Sequence, residues 1–421
     1  MSNLNSYVKE FLEKENPGSP LNAWLQDEVD RQDDGVELIA SENYPSEKVR
    51  LAMASCLSAK YCEGYPEMPE RTGRNGRYYG GCQNIDKIEQ YCCETWQKVF
   101  NTDYHVNVQP HSGSQANQAA YAAILSHGDT VLSLDLNHGG HLTHGSSVNF
   151  SGKTYNFIFY NVDDFGYVSL DDIYEKLLET KPALVLVGAS AYPRIFDFAA
   201  IKGVIDKAWE EIVKTDEAYK KPYFMVDMAH IAGLVASGDH PTPFGYADIV
   251  TTTTHKTLRG PRGGMIFCRK GLAKKVDGAL FPGCQGGPLE HVILAKAICA
   301  EEDCTEAYHE YCHQVVKNCK AMADEFTRLG YDLVTGGTDN HLLLLDLTRT
   351  GISGKALQDE LDLHGITLNK NMVPNDTRSP KETSGVRIGT APMTTRGYKE
   401  ADFIAVVGKI DAVIKEMQQR A

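Results

Sequence analysis

No stretch of this 421-residue chain is apolar enough over a sufficient length to cross a membrane. Its opening residues, "MSNLNSYVKEFLEKENPG", lack the short apolar core of a secretion signal, so a soluble, cytoplasmic protein is expected. Positive charge is in deficit. Against 56 Asp and Glu stand 42 Lys and Arg, a net charge of −14, which argues against general binding to nucleic acid or an anionic membrane. Any anionic ligand must then be caught by a local basic site. The 11 cysteines are odd in number and none are paired at C-x-x-C spacing, so neither a disulfide framework nor a zinc site is expected and the thiols should be reduced. Internal repeats and low-complexity tracts are absent. The remaining composition, 42 % hydrophobic and 23 % charged, is that of a globular chain with a sizeable core.

The first part of the chain has helical patterns near Leu21 to Asp33, Glu47 to Cys56 and Ile85 to Phe100, with an extended "VELIASENY" between the first two. Then come strand-like runs: "TVLSLDL", "TYNFIFYN", "ALVLVG", "YFMVD", "DIVTTTT" and "GMIFCR". Helix-period segments such as "SLDDIYEKLLET" separate several of them. This alternation predicts an α/β fold with a mainly parallel sheet. After about residue 290 a long helical stretch (292–329) leads into "YDLVTG", "LLLLDL", a helix capped near Ser353, "GVRIGT" and a last helix. The expected organisation is an N-terminal helical arm (1–45), a large α/β domain (46–290) and a smaller α+β domain (291–421).

Asp227 ends the apolar strand "YFMVD", which places its carboxylate at the edge where open α/β sheets bind ligands. It could be a helix cap or half of a buried ion pair; it could also hold the ring nitrogen of a pyridine cofactor protonated. Lys256 lies one strand further on, between His255 and a glycine-rich turn with Arg262. A lysine there is either a surface residue or an amine whose proton is lost through burial and nearby cations. Ser112, Gly113 and Ser114 open a strong helix and could cradle an anion. The loop "NHGGHLTHG" has histidines without an interleaved carboxylate or cysteine. An imidazole stacked on a flat ring, with Gly140 allowing close approach, fits it better than a metal site, and no metal is expected. Arg387 within "SGVRIGT" is either a structural ion pair or a clamp for a substrate carboxylate. Together these describe a pyridoxal-phosphate enzyme acting on an amino acid.

Long motifs then coincide with one family: "ELIASENY", "EGYP", "RYYGG", "NVQPHSGSQAN", "HGGHLTHG", "VDMAHIAGLVA", "IVTTTTHKTLRGPRGG", "GGTDNHL" and "VPND". Over nearly its whole length the chain resembles serine hydroxymethyltransferase. The resemblance implies a fold-type I, aspartate-aminotransferase-like fold and a homodimer, or a tetramer of such dimers, with shared active sites. It implies pyridoxal 5′-phosphate held by Lys256 through an imine, Asp227 on the pyridine nitrogen and His141 stacked on the ring. Ser190 and His230 would contact the phenolic oxygen, and Ser112, Gly113 and Ser114 the phosphate, with Gly286 and Gly287 from the partner subunit. Ser41 and Arg387 would hold the amino-acid carboxylate. Tyr61, Glu63 and Tyr79 would reach into the neighbouring site, with Glu63 moving a proton and His255 beside Lys256 among the catalytic residues. Leu136, Gly140, Leu142, Phe281, Asn371, Ser379 and Pro380 map to the tetrahydrofolate site.

The chain departs from the family pattern in extra residues between Pro66 and Arg77, in Cys284 where glycine is common, and in Lys381 where an aromatic is frequent. The implied activity is interconversion of L-serine and glycine with transfer of the one-carbon unit to tetrahydrofolate. The alternative enzyme is a folate-independent aldolase for β-hydroxy amino acids. A catalytically silent cofactor- or RNA-binding regulator fits poorly with the intact Lys256 and Glu63.

Overall fold

The computed structural model describes residues 3–66, 76–163 and 165–420. Thirteen strands are present among them: β1 (Val36–Glu37), β2 (His105–Asn107), β3 (Thr130–Leu134), β4 (Asn156–Tyr160), β5 (Leu184–Val187), β6 (Tyr223–Asp227), β7 (Ile249–Thr253), β8 (Gly264–Cys268), β9 (Asp332–Leu333), β10 (Leu342–Asp346), β11 (Ile366–Thr367), β12 (Asn369–Asn371) and β13 (Gly385–Gly389). Seven form a sheet in the order β2-β8-β7-β6-β5-β3-β4. The run from β4 to β7 is parallel, and β8 and β2 close one edge antiparallel. This is the expected α/β architecture with a mainly parallel sheet.

The central strands are apolar on both faces, as helices cover both sides of such a sheet. Leu184 and Leu186 of β5 point into one cluster with Ala116, Tyr121 and Met225. Val185 and Val187 point into the opposite one, with Trp96, Phe198, Phe224 and Phe267. The period of two along a strand assigns alternate residues to opposite layers.

A second, four-stranded sheet runs β12-β13-β10-β9 and is antiparallel throughout. Leu343, Leu345, Val386 and Ile388 face a separate core with Phe326, Phe403 and Ile410. The strand-to-strand period therefore turns Arg387 to the other face. β1 pairs in parallel with β11, which ties the extended N-terminal segment to the C-terminal part of the chain.

Three details differ from the expectations. The first helix after "ENY" ends at Met53, and a 3-10 turn, Cys56–Ala59, follows it. The helical stretch after residue 290 is two helices, Glu290–Asp303 and Glu306–Arg328, separated where Thr305 caps the second by accepting from the Tyr308 amide. Apolar periodicity runs through that break because the first turns of the second helix, Tyr308 to Val315, still pack in the large core, whereas Cys319 to Phe326 pack in the small one. The edge strand β2 has only "HVN" as its sequence and carries no pattern of its own. The extra residues 67–75 lie outside the described residues. No described helix is long and apolar enough to cross a membrane.

Candidate active site

A cleft of about 530 Å³ opens at the C-terminal ends of the parallel strands. The segment after β3 contributes Leu136, Gly140, His141 and Leu142, and that after β5 contributes Ser190. Asp227 and His230 follow from β6, and His255 and Lys256 from β7. β3 and β5 are neighbours, and the chain leaves β3 towards β4 and β5 towards β6, in opposite directions, so the loops part to make a crevice there. Ser41, Asn371, Pro380 and Arg387 close it from the side of the second sheet.

Because β6 and β7 are adjacent and parallel, Asp227 and Lys256 reach the cleft side by side. Lys256 is 8 % exposed. Burial pushes its ammonium down to about 8, against the Asp227 charge, which raises it, and with help from the Arg387 and Arg262 charges. Near neutral pH a minority of this amine, far larger than for an ordinary lysine, is therefore without its proton. His255, next in the chain, is pushed down to about 3 by burial and then by Lys256, and its Nδ1 is buried with no hydrogen-bond partner.

Asp227 is held from several elements. It accepts from Asn117 Nδ2 at 2.9 Å and from the Ala229 amide at 3.1 Å, and lies 3.1 Å from His144 Nε2. Asn117 is oriented in turn by Thr251 Oγ1, which donates to its Oδ1 at 2.6 Å. Burial would raise the Asp227 carboxyl, but the hydrogen bonds from His144 and Asn117 prevail and hold it well below the usual carboxylate range. His141, anchored through Nδ1 to Thr143 Oγ1 at 2.6 Å, is pushed down to about 4, chiefly by burial. It is neutral at physiological pH, as suits a ring lying on an aromatic ligand.

The loop "HGGHLTHG" acquires a carboxylate from the fold. His141, His144 and Asp227 offer ligand atoms all within 4.8 Å of one another. Two of these groups already face one another in the His144–Asp227 contact, which makes the triangle a device for orienting a carboxylate.

Ser112 caps the helix Gly113–Ile124 by accepting from the Gln115 amide. Gly113 is required there, since a Cβ would stand 2.5 Å from Thr253 Cγ2. The Thr253 hydroxyl, lining the same end of the cleft, is buried and unpaired. A helix N-terminus beside an orphan hydroxyl is suited to a phosphate. Gly140 has a different reason from the one expected. Its Cβ would meet the Leu134 carbonyl oxygen at 2.4 Å, so the chain's own backbone, not a ligand, demands glycine.

Arg387 is 8 % exposed. Its guanidinium donates to the Ser190 carbonyl at 2.7 Å, to Asn369 Oδ1 at 3.1 Å and to Ser41 Oγ at 3.5 Å. Among the described residues no carboxylate pairs with it, which excludes the structural ion pair as its explanation there. A buried cation that faces a cleft, with no carboxylate on it among the described residues, is suited to receive one.

A family model of serine hydroxymethyltransferase matches residues 16–410 of the 421. The chain belongs to the serine hydroxymethyltransferase family. Its activity is the pyridoxal-phosphate-dependent interconversion of serine and glycine with tetrahydrofolate as co-substrate. The fold is the family's fold type I, and nothing favours the folate-independent aldolase. The cleft fits the cofactor on its own terms. It offers a buried amine with a lowered pKa, an anchored anionic carboxylate one strand away, a neutral imidazole, and an orphan hydroxyl at a helix N-terminus.

Tyr61, Glu63, Tyr79, Gly286 and Gly287 do not line the cleft of their own chain. They lie together elsewhere. The Tyr61 and Tyr79 rings are 5.0 Å apart, and a Cβ on Gly286 would be 3.1 Å from Glu63 Oε1. Of the expected folate residues, Leu136, Gly140, Leu142, Asn371 and Pro380 line the cleft. Phe281 and Ser379 do not; Phe281 packs edge-on against Tyr65 and Tyr78.

Sequence reasoning missed Asn117, Thr143, His144, Asn369 and His341. His341 is fully buried with Nε2 3.2 Å from His230 Nδ1. His144 and Asn117 stand inside motifs that were recognised, and that was the signal available for them.

Proposed function

We propose that the cleft carries out the family reaction with the following division of roles. The observation that carries it is Arg387, buried and without a carboxylate, on the same cleft as the buried amine of Lys256. Arg387 and Ser41 receive the α-carboxylate of serine or glycine. Lys256, in part unprotonated near neutral pH, is the amine that would hold the cofactor aldehyde. Asp227 would hold the pyridine nitrogen, His141 would lie on the ring, and Ser190 and His230 would face its phenolic oxygen. Ser112, Gly113 and Ser114 take the phosphate. When bound, the ring supplies a sink for the electrons released at the substrate α-carbon. His255 stands behind Lys256 as a neutral neighbour.

The separate cluster of Tyr61, Glu63, Tyr79, Gly286 and Gly287 serves the cleft of a second copy in a homodimer. There Glu63 moves the proton of the hydroxymethyl group while that carbon passes to or from tetrahydrofolate. Phe281, packed on Tyr78 next to Tyr79 in the chain, serves the folate of that second copy. Leu136, Gly140, Leu142, Asn371 and Pro380 form the folate mouth, and Ser379 adjoins it. The supporting fact is that the five cluster residues lie together yet outside their own cleft. We also propose that the domains divide near residues 45 and 290 and that the protein works in the cytoplasm. Serine cleavage measured with and without tetrahydrofolate tests the whole reading. Cleavage of serine that tetrahydrofolate does not accelerate would overturn the folate role.

A further inference from the structure

Three consecutive carbonyls around Glu63 are held from one neighbouring segment. Arg77 Nη1 donates to the Cys62 carbonyl and to the Gly64 carbonyl, each at 2.9 Å. Between them, the Tyr78 amide donates to the Glu63 carbonyl at 3.0 Å. The backbone carrying Glu63 therefore has no free carbonyl with which to shift. The guanidinium is itself fixed, with Nε on Asp86 Oδ1 at 2.9 Å and Nη2 on Glu89 Oε2 at 2.7 Å, both from the helix Gln83–Val99. Glu89 is locked by Gln109 Nε2, which donates to it at 2.8 Å and also to the Gly64 carbonyl at 3.0 Å. The Arg77 side chain is 3 % exposed.

Charge alone would account for a buried arginine here, since it faces three carboxylates, Asp86, Glu89 and, 3.9 Å from Nη1, Glu290. Charge does not explain why one guanidinium nitrogen spans the carbonyls on either side of Glu63. It also leaves unexplained why the next residue's amide takes the carbonyl between. These three carboxylates can be faced without touching that loop. We infer that Arg77 is a positioning residue for Glu63, setting its carboxylate against Gly286 and Tyr61 at the site it serves. Lysine cannot replace it, because one ammonium cannot reach two carbonyls and two carboxylates in the planar fork that arginine offers.

The inference rests on the proton-transfer role of Glu63 proposed above, and the experiment separates the two. Two partial reactions are followed on the cofactor-loaded full chain. One is serine cleavage with tetrahydrofolate, which needs Glu63; the other is exchange of the glycine α-proton in deuterated water, which is served by the cleft residues. Arg77→Lys is expected to slow serine cleavage roughly 10- to 100-fold, the scale of a misplaced proton-transfer group, and to slow glycine exchange far less. Glu63→Gln should show the same split, and the double variant should be no worse than Glu63→Gln alone. In the cofactor-free protein the Tyr78 amide should exchange with solvent faster in Arg77→Lys. If that variant does not fold, Asp86→Asn with Glu89→Gln frees the guanidinium without removing it and should give the same split in weaker form. Equal losses in both reactions, or full cleavage by these variants while Glu63→Gln is impaired, would overturn the role of Arg77. Full cleavage by Glu63→Gln itself would overturn the role of Glu63.

Discussion

Arg387 Nη1 donates to the Ser190 carbonyl oxygen at 2.7 Å, so an arginine of the second sheet is fastened to the loop that follows β5 of the first. The bond fixes one edge of the guanidinium, and no carboxylate among the described residues pairs with it. Replacing Arg387 by lysine keeps the charge and removes the fork. Serine affinity should fall by about 1.5–3 kcal/mol, roughly 10- to 100-fold, as expected when hydrogen bonds to a charged group are lost. Cofactor absorbance should survive. Spectroscopic titration with serine measures this, and unchanged affinity would return Arg387 to a structural role.

Lys256 must lose a proton before it can bind an aldehyde. Cofactor capture by the cofactor-free protein should therefore rise with pH through a midpoint near 8 and level off above it by a unit or more. The Asp227 charge favours the protonated amine and raises this value. Asp227→Asn should consequently shift the midpoint to lower pH while weakening cofactor retention. Stopped-flow absorbance over a pH series reads both effects. After borohydride reduction and digestion, the cofactor mass should appear on the peptide containing Lys256.

Gly140→Ala tests why that position is glycine. A Cβ 2.4 Å from the Leu134 carbonyl forces the backbone to move, at a cost of about 1–3 kcal/mol, like other overpacked sites. The expected outcome is a lower melting temperature in the cofactor-free protein. A variant of normal stability with selectively weaker folate binding would instead support approach of the ligand as the reason.

Glu290 is buried with neither carboxylate oxygen hydrogen-bonded. Burial, then the Glu89 charge, raises its pKa above the ordinary value, against the attraction of Arg77. A group that holds its proton longer in the folded than in the unfolded chain stabilises the fold less as pH rises past its unfolded value. Glu290→Gln removes that loss. The variant should therefore gain stability relative to the parent between pH 5 and pH 8, measured by thermal melts at both. A variant that instead loses stability relative to the parent as pH rises would show that the ion pair of Glu290 Oε1 with Arg77 Nη1, 3.9 Å apart, outweighs the cost of burial.

Much of the fold and the inner site was legible from the chain alone. The central strands are continuous apolar runs because both faces are buried, and that pattern is visible without coordinates. Asp227 and Lys256 end successive runs, so a parallel arrangement had to bring them to one edge. What tertiary structure decided were relationships between residues far apart in the chain. The threefold hold on Asp227 joins residues 83 and 110 positions away to a close neighbour, with Asn117 oriented in turn by Thr251, and no local period encodes such bonds. The break at Thr305 was hidden because apolar spacing continues across two cores, and β2 because three residues are too few to show a pattern. Whether Arg387 had a partner could not be read at all. A charge in a strand is equally consistent with an ion pair or an empty clamp, and the packing of one sheet against the other leaves the described guanidinium without a carboxylate.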